Sequence, residues 1–120
     1  MMTIPCYVDK SPIHGKGLFA AKPIKKDTVV WRFDPSVDVR IPKDIVDTWH
    51  RDVKAKVTHY CVLADDGCYI MSLDDSKYIN HSKQPNISMF GLYNDIVALR
   101  DIGKDEEIVS QYLDMTSFSA

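Results

Sequence analysis

The chain predicts a β-rich α+β domain, and three observations carry that reading. Short runs rich in β-branched and aromatic residues recur along the sequence, separated by Gly, Pro, Asp and Asn. Such runs are what strands joined by tight turns look like. Only one stretch switches to a helical period. The 120 residues, 45% hydrophobic and 27% charged, suit one core, so a single domain over residues 1–120 is expected.

Taken in order, Cys6–Lys10 reads as a short strand. Ser11-Pro12-Ile13-His14-Gly15-Lys16-Gly17 follows as a turn, ended by Leu18-Phe19-Ala20-Ala21. Lys25-Lys26-Asp27 looks like another turn, and residues 28–33 (Thr-Val-Val-Trp-Arg-Phe) read as a strand. Ile45, Trp49, Val53 and Val57 then recur every fourth residue and line one face of a helix. That main helix is placed near residues 43–57, with Pro42 at its first turn. Residues 59–64 and 68–71 flank Asp65-Asp66-Gly67, a hairpin signal because Asp-Gly tolerates positive φ. Residues 87–93 and 96–99 flank Asn94-Asp95 as a second hairpin, and residues 108–112 form a last strand.

Composition excludes several function classes. The net charge is −2, so no global positive field draws the chain to nucleic acid or to an anionic membrane. Lys22, Lys25 and Lys26 form a local basic cluster, read as a solvated loop. The three cysteines, Cys6, Cys61 and Cys68, are an odd number. Cys61 and Cys68 could face each other across the hairpin, but no Cys/His spacing suggests a zinc site. Reduced thiols in an intracellular compartment, cytoplasm or nucleus, are the expectation. The start, Met1-Met2-Thr3-Ile4-Pro5, has no basic n-region or long apolar h-region. No apolar run approaches the roughly 20 residues that span a bilayer.

Three segments carry candidate chemistry. Gly15-Lys16-Gly17 allows positive φ or close backbone approach, although a dinucleotide loop would need a third glycine and a helix. Asn80-His81-Ser82, with Pro85-Asn86, offers carboxamide and imidazole donors and acceptors. Asp105-Glu106-Glu107-Ile108-Val109-Ser110-Gln111-Tyr112 is an acidic turn running into a strand that ends in tyrosine. Each alone reads first as an ordinary turn or a half-buried aromatic.

Together, and in this order, they resemble the SET domain. The resemblance runs from about Cys6 to Asp114. It rests on Ser11-x-x-x-Gly15-x-Gly17-Leu18-Phe19-Ala20, then Tyr78-Ile79-Asn80-His81-Ser82-x-x-Pro85-Asn86, then Ala98-Leu99-Arg100-Asp101-Ile102-x-x-x-Glu106-Glu107-Ile108-x-x-x-Tyr112. The chain is most similar to very short members that lack flanking domains.

The resemblance implies several small curled sheets with a threaded, pseudoknot-like C-terminal segment passing beside the 80–86 loop. It implies a protein-lysine N-methyltransferase that uses S-adenosylmethionine and releases S-adenosylhomocysteine. The implied acceptor is an exposed lysine of a protein such as a histone tail. Lys16, Gly17 and Leu18 would present backbone groups to the cofactor. Asn80 would contact its methionyl end, His81 its adenine, and Tyr112 the transferring methyl. Tyr60 is the candidate wall of the lysine channel, shared with Ser110 and Phe118. No metal is required.

Departures from the family pattern are informative. Lys83 stands where many members have cysteine after the Asn-His-Ser triplet, so a cysteine-rich, zinc-linked C-terminal segment is not expected. Eight residues follow Tyr112 and none is cysteine, so a lid would come from Phe118, from a second subunit in a homodimer, or from the substrate. Asp105 replaces a common glycine. Ser110 sits where many relatives carry an aromatic residue that helps set methyl number. The competing reading is a SET-like binding module that recognises a protein tail or the cofactor without turnover.

Overall fold

A computed structural model describes residues 1–64, 66–89 and 95–111. The elements in chain order are β1 (Cys6–Lys10), β2 (Lys16–Ala20), β3 (Val29–Trp31), β4 (Asp38–Ile41), α1 (Lys43–Val46), α2 (Arg51–Thr58), β5 (Cys61–Leu63), β6 (Tyr69–Ser72), a 3₁₀ segment (Asp75–Tyr78), β7 (Asn80–His81), β8 (Ile96–Val97) and β9 (Glu107–Ser110). They form three small sheets: β1-β2-β9-β7, β3-β8 and β4-β6-β5. The expected β-rich α+β architecture is therefore present.

One core lies where these sheets meet. Leu18, Val30, Ile87, Ile96 and Ile108 are wholly buried, with Trp31 and Ile102 at 1% exposure. Burying each such side chain is worth roughly 1.5–3 kcal/mol. β2 supplies Leu18 and Ala20, and β9 supplies Ile108, so the strand pairing and the core share residues.

β9 organises the fold. It runs antiparallel to β2, with Leu18 opposite Ile108, and parallel to β7, with Asn80 opposite Val109 and His81 opposite Ser110. Both ends of the 82–87 loop bind it. The Ser82 amide donates to the Ser110 carbonyl at 2.9 Å, and the Asn86 and Ile87 amides donate to the Val109 carbonyl at 3.1 and 3.3 Å. The strand thus passes beneath the loop, which is the threaded arrangement.

The helical prediction is refined. The stretch near 43–57 is two helices, broken over residues 47–50. Thr48 ends the first: its amide and its Oγ1 both donate to the Ile45 carbonyl, at 3.1 and 2.6 Å, and the Trp49 amide reaches back only to Val46. A hydroxyl that binds nearby backbone offers the chain an alternative to the helical ladder. His50 then starts α2 in extended conformation (ψ 141°), and its Nδ1 accepts from the Asp52 amide at 3.2 Å. The period-four stripe does not face the core. Ile45 and Val53 are 49% and 50% exposed, whereas Val46, off the stripe, is buried.

The first hairpin forms, and the described ends of the second are paired. β5 pairs with β6 antiparallel, and Gly67 takes φ 85° in the turn. Cys61 lies opposite Met71 and Leu63 opposite Tyr69, so Cys61 and Cys68 do not face each other. In the second hairpin Ile87 bridges Ala98, and the Ser88 amide donates to the Val97 carbonyl at 2.9 Å. Residues 90–94 of this hairpin, like Asp65 of the first, lie outside the described residues.

Candidate functional site

Glu107 is the hub of the site. It begins β9, and its carboxylate accepts from the Ser11 hydroxyl at 2.8 and 2.9 Å and from Asn80 Nδ2 at 3.0 Å. Asn80 Nδ2 also reaches the carbonyls of Lys16 (3.0 Å) and His14 (3.2 Å). Its two N–H groups are thus shared among three acceptors, and all three of the motif segments meet at one carboxamide. Ser11 closes its own turn as well, its Oγ accepting from the Ile13 amide at 3.0 Å.

Gly17 matters for a reason local to this network. A Cβ built there would stand 2.5 Å from Glu107 Oε2, 2.9 Å from its Cδ and 3.1 Å from the Ser11 Cβ. The glycine makes room for the carboxylate that ties the turn to β9. The atoms a side chain at this position would meet are those of Glu107 and Ser11.

A second carboxamide repeats the design one step along. Asn86 is 1% exposed. Its Nδ2 donates to the Glu107 carbonyl (2.7 Å) and to Glu106 Oε2 (3.1 Å), and its Oδ1 accepts from the Val109 amide (2.9 Å). Glu106 also pairs with Arg100 at 2.7 Å and accepts from the Gly103 amide at 3.0 Å. Partial burial alone would push the Glu106 carboxyl up. The hydrogen bonds from Gly103, Asn86 and Arg100, with the Arg100 charge, outweigh it and hold the group below its ordinary value.

Asp105, which replaces a common glycine, has φ 65°. That left-handed conformation explains why glycine suits the position, and Asp is among the residues that tolerate it. Its Oδ1 accepts from the Tyr7 hydroxyl at 2.8 Å, which stitches β1 to the start of the β9 segment.

The network forms one wall of an open cavity of about 1000 Å³. Of the sequence-predicted residues, Lys16, Tyr60, Asn80 and His81 line it. Tyr60 is 58% exposed and follows α2, its ring edge-on to His59 at 5.1 Å between centroids. Gly17 and Leu18 do not line the cavity. Leu18 is wholly buried and sits in the ladder between Val8 and Ile108. Ser110 is also wholly buried, its hydroxyl 3.4 Å from the Ser88 carbonyl. Tyr112 and Phe118 lie outside the described residues. The sequence reading passed over His14, His59, Leu73, Lys77 and Tyr78, which also border the cavity. Tyr78 and His14 lie inside motif segments but were given no role, and His59, Leu73 and Lys77 stand outside them.

Elsewhere the chemistry is sparse. Among the described residues no group of three or more His, Cys, Asp or Glu could hold a metal ion. The three thiols are free, and burial pushes the Cys61 thiol up to about 11, far from a reactive thiolate. No helix among the described residues is long and apolar enough to cross a membrane.

Comparison with known proteins gives a consistent result. The SET domain family model matches residues 15–113. The fold is similar to the crystal structure of a candidate histone methyltransferase from Plasmodium falciparum, with a TM-score of 0.62 at 22% identity over 94% of this chain and 96% of that one. No curated protein matches the sequence. The family match spans the Gly15–Gly17 turn, the Asn80-His81 strand and β9, the same segments that converge on Glu107. The chain belongs to the SET-domain family.

Proposed function

We propose that the protein is an S-adenosylmethionine-dependent protein-lysine N-methyltransferase whose cofactor is held in the cavity beside Asn80. The observation that carries this reading is the convergence of Lys16, Asn80, His81 and Tyr60 on one cavity. Its volume stands at the upper end of the roughly 300–1000 Å³ usual for ligand sites. Its lining combines apolar surface from Ile13, Leu73 and Ile79 with polar groups from Asn80, His81 and Ser72. That mixture suits a ligand with an aromatic base at one end and a charged amino acid at the other.

Asn80 uses its N–H donors on protein carbonyls and Glu107. Its Oδ1, which accepts from none of the described residues, is left to receive a ligand ammonium. Lys16 contributes a backbone group at the start of β2, and His81 the polar edge for the base. Gly17 and Leu18 act by holding that turn against β9. When bound, the cofactor supplies a methyl on sulfonium. Tyr60 offers an aromatic face to the alkyl stem of an incoming lysine. The chain must accept that lysine as a neutral amine, although its ordinary pKa is about 10.4. A low-dielectric channel disfavours the ammonium, and alignment supplies most of the rate. Tyr112 is assigned to the reacting methyl, with Ser110 and Phe118 on the channel side.

The acceptor is a protein with an exposed lysine, and a histone tail is the first candidate. A homodimer is the proposed assembly, and sedimentation showing only monomer at high concentration would count against it. Isothermal titration with S-adenosylmethionine should give saturable binding that Asn80→Ala weakens at least tenfold. Unchanged affinity in that variant would remove the site assignment. Tyr112→Phe should lower turnover far more than cofactor affinity.

A further inference from the structure

α2 is lightly held. It has eight residues, Arg51–Thr58, and buries none of them. Helices shorter than about 12–15 residues are marginal on their own, so the ends and a few nearby ties decide whether this one forms. The ties are local. The Thr58 hydroxyl donates to the Lys54 carbonyl at 2.7 Å, the Cys61 thiol to the Val57 carbonyl at 3.3 Å, and the Lys54 ammonium to Asp47 at 3.1 Å.

The start of α2 is closed by an imidazole. His50 Nδ1 accepts from the Asp52 amide at 3.2 Å, while the His50 carbonyl accepts from the Lys54 amide at 2.9 Å. The usual caps, Ser, Thr, Asn and Asp, keep their accepting oxygen across neutral pH. A histidine cap does not. A neutral ring has one accepting nitrogen and a protonated ring has none, and imidazoles ordinarily titrate near pH 6.5. Protonation removes the acceptor and places a positive charge at the positive end of the helix dipole.

The surrounding charges compensate little. Asp52 Oδ2 lies 3.8 Å from His50 Nδ1, but Arg51 stands 4.0 Å from the other oxygen of that carboxylate, and all three side chains are mostly in solvent. Asp47, after α1, is held by Lys43 at 2.6 Å and by Lys54. Lys56 lies in the last turn of α2. β5, against which α2 packs, carries no charged residue, and burial keeps its Cys61 thiol protonated.

The far end of α2 borders the cavity. The His59 amide donates to the Ala55 carbonyl at 3.3 Å and the Tyr60 amide to the Val57 carbonyl at 3.1 Å, and both residues line the cavity. We propose that His50 is a proton-operated latch: the neutral ring holds α2 and the His59–Tyr60 rim in place, and the protonated ring releases them. The latch does not depend on what the cavity binds.

The test is amide hydrogen exchange of the whole chain at about pH 5 and about pH 8, corrected for intrinsic exchange rates, in wild type, His50→Asn and His50→Ala. In wild type the Asp52, Lys54, His59 and Tyr60 amides should lose protection about 3- to 10-fold at the lower pH, while the Ile108 amide in β9 stays protected. His50→Asn should be protected at both pH values, because a carboxamide caps without titrating. His50→Ala should be poorly protected at both. Equal protection of wild type at the two pH values overturns the latch, and so does wild-type protection in His50→Ala at the higher pH. The same acid loss in His50→Asn assigns the effect to another group, His59 included, and overturns it too. Loss confined to the Asp52 and Lys54 amides overturns the link to the cavity rim.

Discussion

The junction of β2, β9 and β7 and the segment from Pro42 to Tyr60 border the same cavity and are built in opposite ways. The junction is buried and saturated. Leu18, Ile108 and Ser110 have no exposure, and two carboxamides, Asn80 and Asn86, bind backbone and carboxylate from separate segments. The helical segment is superficial. α2 buries none of its residues, and Val53 on it and Tyr60 just after it stand half or more in solvent. A site that must align a small reacting group needs rigid support. A surface that must admit a protein substrate needs exposed apolar and aromatic groups. On the proposed function, these two tasks fall to the two regions separately.

Substitutions in the two regions should therefore differ in kind. The largest effect belongs to Asn86→Ala, which strips a buried amide, carbonyl and carboxylate of their partners. A loss of about 3 kcal/mol is expected, which should lower the thermal midpoint by about 10 °C. A calorimetric midpoint within a degree or two of wild type would show that the junction is not the rigid half. Next comes Gly17→Ala. Its methyl displaces the Glu107 carboxylate from Ser11 and Asn80, at a cost of about 1–2 kcal/mol, and cofactor affinity should fall with stability. Urea unfolding and ligand titration on the same variant check both.

Acid should reach the junction through Glu106. Its folded-state carboxyl lies below its ordinary value despite partial burial, because Gly103, Asn86 and Arg100 hydrogen-bond the charged form. A depressed carboxylate contributes stability that is present above the unfolded value, about pH 4.3, and is lost as pH falls through the folded one. The urea midpoint should thus drop below that pH, and Glu106→Gln should flatten the drop. An equally steep profile in the variant would assign the acid sensitivity to other groups. Asp105→Gly trades the left-handed strain of φ 65° for loss of the Tyr7 hydrogen bond. The two nearly cancel, so stability should change by less than about 1 kcal/mol. The smallest effect belongs to Val53→Ser on α2, within about 0.5 kcal/mol. If that change instead destabilises like a core substitution, the contrast between the regions is wrong.

The sequence made the junction legible because motif order alone brings its three segments together. Asn80, Lys16 and the β9 segment stood out before any coordinates. Glu107 stood in that segment but was given no role, because an acidic residue after a turn reads as solvated, and only tertiary contact with Ser11 and Gly17 reveals its work. The helical segment misled for a related reason. The period of Ile45, Trp49, Val53 and Val57 is real, but periodicity reports a face and not what covers it. Here Thr48 and His50 end and restart the helix locally, and the face is only half covered, with Ile45 and Val53 exposed and Trp49 and Val57 partly buried. Lys77 and His59 were invisible as site residues, since nothing in their neighbourhood distinguishes them from surface charge.

The central claim is that this arrangement transfers a methyl to protein lysine. The direct measurement is incubation of the whole chain with isotopically labelled S-adenosylmethionine and candidate protein substrates including histones, read by mass spectrometry. The account predicts label on a lysine side chain, with transfer lost in Tyr112→Phe while that variant still binds the cofactor. Saturable cofactor binding with no label on any protein would contradict it and leave a binding module in its place.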